Sequence, residues 1–184
     1  MPQTTIDVLG IGNAIVDILV ETDDAFLTSV GAVKGAMSLV SAEHQRALYN
    51  KVGAAVEISG GSAANTLAGI AMLGGRAAFI GKVKDDQLGD VFGHDLRAVG
   101  VAFDTRAAAQ GAPTATCLVL ITPDGQRTMQ TALGACIELS PDDLDLSVIA
   151  AAQVTYLEGY LWDPPAARAA FHVAAEAAHL AGRK

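Results

Sequence analysis

The sequence is short of the residues that mark several whole classes of protein. It holds two cysteines in 184 residues, Cys117 and Cys136. That is too few for a disulfide framework, and their spacing is not that of a CxxC site. A reduced, cytoplasmic compartment is the expectation that follows. Positive charge is also scarce. Twelve Lys and Arg face twenty Asp and Glu, for a net charge of −8, so nothing here neutralises a row of phosphates and no nucleic-acid partner is expected. No block of like charges marks a tail. The hydrophobic fraction is 51%, with Ala its largest single part. Gly, Asp, Lys or Arg interrupts every apolar run before it reaches the ~20 residues that span a bilayer, so no membrane partner is expected. Met1-Pro2-Gln3-Thr4-Thr5 lacks the basic segment and apolar run of a secretory signal. His44, His94, His172 and His179 are spaced as no zinc ligand set and read as surface helix residues, so no metal ligand is assigned. There is no GxSxG elbow, no internal repeat and no low-complexity linker.

The length suits one domain with a real core. A run from Ile6 to Ile11, apolar but for Asp7, predicts a strand buried on both faces of a parallel sheet. Ala14 to Val20 reads as a second extended segment, and Leu39-Val40 has strand character too. Ser41 is placed to cap a helix to about Val52, and Ser62 one that carries Leu67, Ile70, Ala71 and Gly74 on one face. Ala77–Val83 reads as a strand, and Leu88, Val91, Phe92, Leu96 and Val99 recur at helical spacing before Gly100. Asp85-Asp86 read as capping acids. From Thr114 the chain turns β-branched, and Pro123-Asp124-Gly125 predicts a hairpin returning over Arg127–Thr131. Ser140-Pro141-Asp142-Asp143 predicts a helix start, with Asp142, Asp143 and Asp145 solvated. A short strand, Val154–Leu157, and a final helix from Asp163-Pro164-Pro165 to near Gly182 follow. The alternation is that of an α/β fold with a mainly parallel sheet. Residues 1–13, 41–100 and 135–184 form its core; 14–40 and 101–134 break the alternation and read as a small antiparallel β lid. The last helix stops where another parallel strand is due, so the core is expected to be incomplete, the N-terminal part of a longer protein.

Two motifs carry chemistry. Gly10-Ile11-Gly12-Asn13-Ala14-Ile15-Val16-Asp17 follows the first strand. Ile15 stands where a dinucleotide fingerprint needs its third glycine, and an extended segment follows in place of a helix. Gly81-Lys82 is followed by Val83, so there is no Walker A sequence. Asn13 and Asp17 remain. A carboxylate accepts from two neighbouring hydroxyls at once, which suits a vicinal diol; an Asp exposed at a strand edge is the alternative. In Gly60-Gly61-Ser62-Ala63-Ala64-Asn65, two glycines before a helix allow close backbone approach to a ligand, and Asn65 offers an amide. A tight strand-to-helix turn is the alternative.

In their order, GNAIVD, GGSAAN and the run from Gly74 to Gly89 resemble the PfkB, or ribokinase-like, carbohydrate kinase family over essentially the whole chain. GNAIVD, GGSAAN and Pro113-Thr114-Ala115-Thr116-Cys117 are more similar to its adenosine-kinase-like branch. Ser62 stands where ribokinase itself has a lysine. The resemblance implies that Asn13, Asp17, Gly60, Gly61, Ser62 and Asn65 line a sugar pocket. It implies that Glu158 adds a substrate-binding acid at a strand's carboxyl end, which draws the substrate toward a plain sugar. Ile15, Met37, Cys117 and Tyr160 are candidate lid or apolar contacts, with core packing the alternative for each.

It also implies ATP and Mg²⁺ as co-substrate and cofactor, both held by residues beyond Lys184. No catalytic residue falls in this segment, because the family's Gly-Ala-Gly-Asp base and Asn-x-x-Glu motif do not occur. The expected function is an ATP-dependent kinase acting on a hydroxyl of a sugar or nucleoside, inactive as the 184-residue segment alone, with a homodimer through the lid in some relatives. A non-catalytic sugar-binding remnant and a Rossmann-type dinucleotide-binding protein are the rival readings.

Overall fold

A computed structural model describes residues 5–184; residues 1–4, part of the stretch read as lacking a secretory leader, lie outside the described residues. The chain builds two sheets. In the first, β1 (Ile6–Ile11) lies between β5 (Ala77–Ile80) and β9 (Ala152–Leu157), and β6 (Val101–Phe103) lies outside β5. Every pairing is parallel. Side chains alternate between two apolar layers. Leu9 and Ile11 pack with Ile149 of α5 (Leu146–Ala151) and with Phe171 and Ala174 of α6 (Pro165–Leu180). Phe79 and Phe103 pack on the other face with Leu67 of α3 (Ser62–Met72) and Phe92 and Leu96 of α4 (Gln87–Ala98). This is an α/β fold, a parallel sheet flanked by helices, as the run Ile6–Ile11 predicts.

The second sheet has the order β3 (Met37–Leu39), β8 (Arg127–Ala132), β7 (Ala115–Ile121), β2 (Ile15–Glu21), β4 (Val56–Gly60). Its back face is closed by Leu27 of α1 (Asp24–Ser29) and Leu48 of α2 (Ala42–Tyr49), which cover Ile18, Val20, Leu118 and Leu120.

This sheet is mixed, where an antiparallel lid was expected. β2–β7 and β3–β8 are parallel, and β2–β4 and β7–β8 antiparallel. Only the tight 122–126 turn enforces antiparallel neighbours; the other members arrive through long crossovers. Two strands also change sides relative to the expected boundaries. Residues 56–60 pair with β2 and belong to the second sheet, because their alternating exposure suits a strand with one open face. Residues 101–103 belong to the first, because Val101 and Phe103 are buried and Phe103 completes a ring cluster with Phe79 and Phe92 at centroid distances of 5.9 and 5.2 Å.

Several local expectations are met. Ser41 Oγ accepts from His44 N at 3.2 Å and caps α2, which stops at Tyr49. Asp86 caps α4 through Gly89 N at 2.9 Å. Gly125 takes φ +78° in the hairpin turn. The four histidines are exposed on α2, α4 and α6. Others are corrected. Ser140-Pro141-Asp142-Asp143 makes only a 3₁₀ turn, and α5 starts separately under an Asp145 cap. Asp143 is not solvated: it accepts from Ser140 N at 2.8 Å and from Lys82 Nζ at 2.9 Å. That inward tether diverts the chain. Among the described residues, no helix is long and apolar enough to cross a membrane.

Candidate substrate site

β1 does not lead into a helix. The turn Gly12-Asn13-Ala14 carries the chain straight into β2, so the strand–turn–helix of a dinucleotide site is not formed. The turn lies at the carboxyl edge of the parallel sheet. Beside it, Glu158 follows β9 and donates its N–H to Ile11 O at 2.9 Å. β4 ends nearby in Gly60, Gly61 takes φ +92°, and α3 begins at Ser62. Three segments far apart in sequence thus meet where open α/β sheets bind ligands.

Gly61, not Ser62, occupies the cap position of α3, and no side chain of that turn caps the helix. Glu158 supplies the missing acceptor. Its Oε1 accepts from Ala63 N at 3.0 Å and from the Ser62 hydroxyl, and its Oε2 accepts from Asn13 N at 2.6 Å and Asn13 Nδ2 at 2.9 Å. A carboxyl group at a helix N-terminus satisfies orphan N–H groups and faces the positive end of the dipole. Glu158 is 2% exposed.

Asp17 stands on the open face of the second sheet, in register with Ile58 of β4 and Cys117 of β7. Its carboxyl group lies against Gly60, where any Cβ would overlap it. A Cβ on Gly61 would stand 2.6 Å from Asn13 O. The two glycines therefore let Asp17 and Asn13 both close on one turn. Asp17 is half-buried and, among the described residues, has no hydrogen-bond or ion-pair partner. Burial pushes its pKa above the ordinary carboxyl value, and the charge of Arg127 works the other way. Asn13 is 4% exposed and its Oδ1 has no partner. Two acceptors of this site thus lack donors, one half-exposed and one closed off from solvent.

The remaining predicted residues are placed less closely. Asn65 is exposed, its N–H bonded to Gly61 O at 2.9 Å, one helical turn beyond Ser62. Ile15 is half-buried between Gly60 and Ala115 in the sheet. Cys117 is buried; Thr131 Oγ1 lies 3.3 Å from its sulfur, and burial pushes its thiol up to about 11. So high a value leaves little thiolate near neutral pH. Met37 lies at the far edge of the second sheet, 51% exposed. Tyr160 is 78% exposed in the 3₁₀ turn Gly159–Leu161, so its core reading is corrected. Sequence reading missed Arg127. Alternation along β8 from Thr131 through Met129 puts it on the face of Asp17, a placement that needs the hairpin register first.

An open parallel sheet flanked by helices, with a second, mixed sheet beside the carboxyl ends of its strands, defines an α/β protein of the layered type. More narrowly, the chain belongs to the pfkB family of carbohydrate kinases, whose model matches residues 24–183. Its structure is similar to that of a probable sugar kinase protein from Rhizobium etli, with a TM-score of 0.92 and 51% identity over 99% of this chain and 55% of that one. It is similar also to adenosine kinase from Sinorhizobium meliloti, with a TM-score of 0.90 and 55% identity over 97% of this chain and 55% of that one. Probable fructokinase-4 of Arabidopsis thaliana is 37% identical over 101 residues, 54% of this chain and 31% of that protein. The chain spans just over half the length of these solved relatives and about a third of that curated one.

Proposed function

We propose that this chain carries the substrate half of a kinase that transfers a phosphoryl group from ATP to a hydroxyl of a sugar or nucleoside. The observation that carries the reading is the half-buried, unpartnered Asp17 carboxyl group, which meets the Gly60-Gly61 turn together with the Asn13 backbone, beside an Asn13 Oδ1 that also lacks a donor. Vicinal hydroxyls are the donors that satisfy both. Gly60, Gly61 and Ser62 form the floor, and Asn65 reaches the ligand from α3. Orientation of the acceptor is the contribution of these residues to catalysis.

Met37, Leu39, Val56 and Ile58 leave the open face of the second sheet partly apolar. That face closes over the bound sugar and excludes water, and it is the surface through which two copies pair. ATP is the co-substrate the family implies. The residues here do not fit a magnesium site: among the described residues no group of three His, Cys, Asp or Glu is gathered for a metal. No step is therefore routed through the ion. Two buried, unpaired thiols are consistent with a cytoplasmic setting.

The test is ATP-dependent phosphorylation of adenosine, ribose and fructose by the 184-residue chain and by the chain extended to the full length of its relatives. The reading predicts turnover of one acceptor by the extended chain only. It predicts that Asp17→Ala lowers kcat/KM by at least about tenfold, the value of about one charged hydrogen bond. Sugar binding without turnover in the extended chain would support the non-catalytic remnant instead.

A further inference from the structure

We infer that Glu158 is a positioning residue, which fixes the orientation of the Asn13 amide and ties the Gly12-Asn13 turn to the head of α3, and that it does not itself bind substrate. The inference rests on the carbohydrate reading of the site, and it assigns the buried acid a role other than the ligand contact that sequence resemblance implies.

Capacity is the first argument. A carboxylate offers about four lone-pair sites. Four donors of the protein occupy them: Asn13 N, Asn13 Nδ2, the Ser62 hydroxyl and Ala63 N. No site is left for a sugar hydroxyl. Access is the second. The group is 2% exposed, and a Cβ on Gly12 would stand 2.8 Å from Oε2 and 2.9 Å from Ala63 Cβ. The backbone of Gly12 roofs the carboxyl group, so a ligand has no path to it.

Orientation is the third. Asn13 Nδ2 is held by Oε2, so Oδ1 is the free end of the amide, buried and without a donor. Turning the amide over would set Oδ1 against the Glu158 oxygen, acceptor against acceptor. Glu158 therefore decides which end of the Asn13 amide is left without a partner. With Asp17 also an acceptor, and the Ser62 proton spent on Glu158, the pocket selects ligands rich in hydroxyl donors. Carbonyl and ether oxygens gain nothing at this point.

A double-mutant cycle between Glu158→Gln and Asn13→Ala tests the assignment, read by calorimetric titration with adenosine and with fructose. The Glu158→Gln change keeps the shape of the side chain but turns an NH₂ toward one pair of donors. Each single variant is expected to weaken binding on the order of tenfold. If Glu158 acts through Asn13, the double variant is weaker than Asn13→Ala by no more than about twofold. Losses that multiply to about a hundredfold would mark an independent ligand contact and overturn the inference.

Failure of the wild type to bind either compound counts against the carbohydrate reading and not against the brace. In that event, amide hydrogen exchange of the unliganded wild type decides. The inference requires slow exchange at Asn13 N and Ala63 N, and exchange at the rate of an open loop there would overturn it.

Discussion

Replacing Asp17 by Asn keeps the side chain's shape and removes its charge, and the structure predicts opposite consequences for stability and for binding. The carboxyl group is half-buried against Gly60 without a hydrogen-bond partner, and burial raises its pKa. In the unfolded chain Asp17 titrates near its reference value of about 3.9. Between that value and the raised folded one, the native state binds more protons, so stability falls as pH rises. The penalty is absent well below the unfolded pKa and complete above the folded one. Asp17→Asn never incurs it. The variant should be more stable than the wild type at pH 7, and the advantage should vanish as pH falls below about 3.9. Binding moves the other way. Each hydrogen bond to a charged acceptor is worth about 1.5–3 kcal/mol, so losing even one weakens a sugar about tenfold to a hundredfold. Urea unfolding of both proteins across pH 3–8, with calorimetric titration of adenosine and fructose at pH 7, measures both effects. A variant less stable than the wild type at pH 7, or a stability gap that ignores pH, would refute the claim that this carboxyl group is desolvated and unpartnered.

Other predictions concern the frame around the site. Asp86→Ala removes the α4 cap and two bonds to Thr114, N at 3.0 Å and Oγ1 at 2.7 Å; it should cost at least ~1–2 kcal/mol in urea unfolding. Leu67→Ala, at a fully buried position packed on Gly10, should cost about 2–5 kcal/mol in the same assay. Gly60→Ala pushes a methyl into the Asp17 carboxyl group. Overpacking of this kind costs about 1–3 kcal/mol, and titration should show sugar binding lost together with that stability.

Much of this was legible before the structure. The run Ile6–Ile11 announces a doubly buried parallel strand because no polar residue but Asp7 interrupts it, and Pro123-Asp124-Gly125 fixes a hairpin through its own backbone preferences. Asn13 and Asp17 stand out because a helix does not follow Gly12. Longer-range effects were not legible. The register that puts Arg127 on the face of Asp17 is set between strands, not within β8. α3 has its terminal N–H capped by Glu158 from 95 residues away, so a local rule assigned the cap to Ser62. Asp143 looks like a helix-starting acid until Lys82 and Ser140 are seen to draw it inward. Val56–Gly60 shows alternation, but nothing local says which of two sheets it joins.

The measurement closest to the central claim is a crystal structure with whichever of adenosine, fructose or ribose binds most tightly. The account predicts two ligand hydroxyls within about 2.5–3.0 Å of the Asp17 carboxyl oxygens and a third donor on Asn13 Oδ1. A ligand bound elsewhere, with Asp17 and Asn13 Oδ1 still lacking donors, would contradict it.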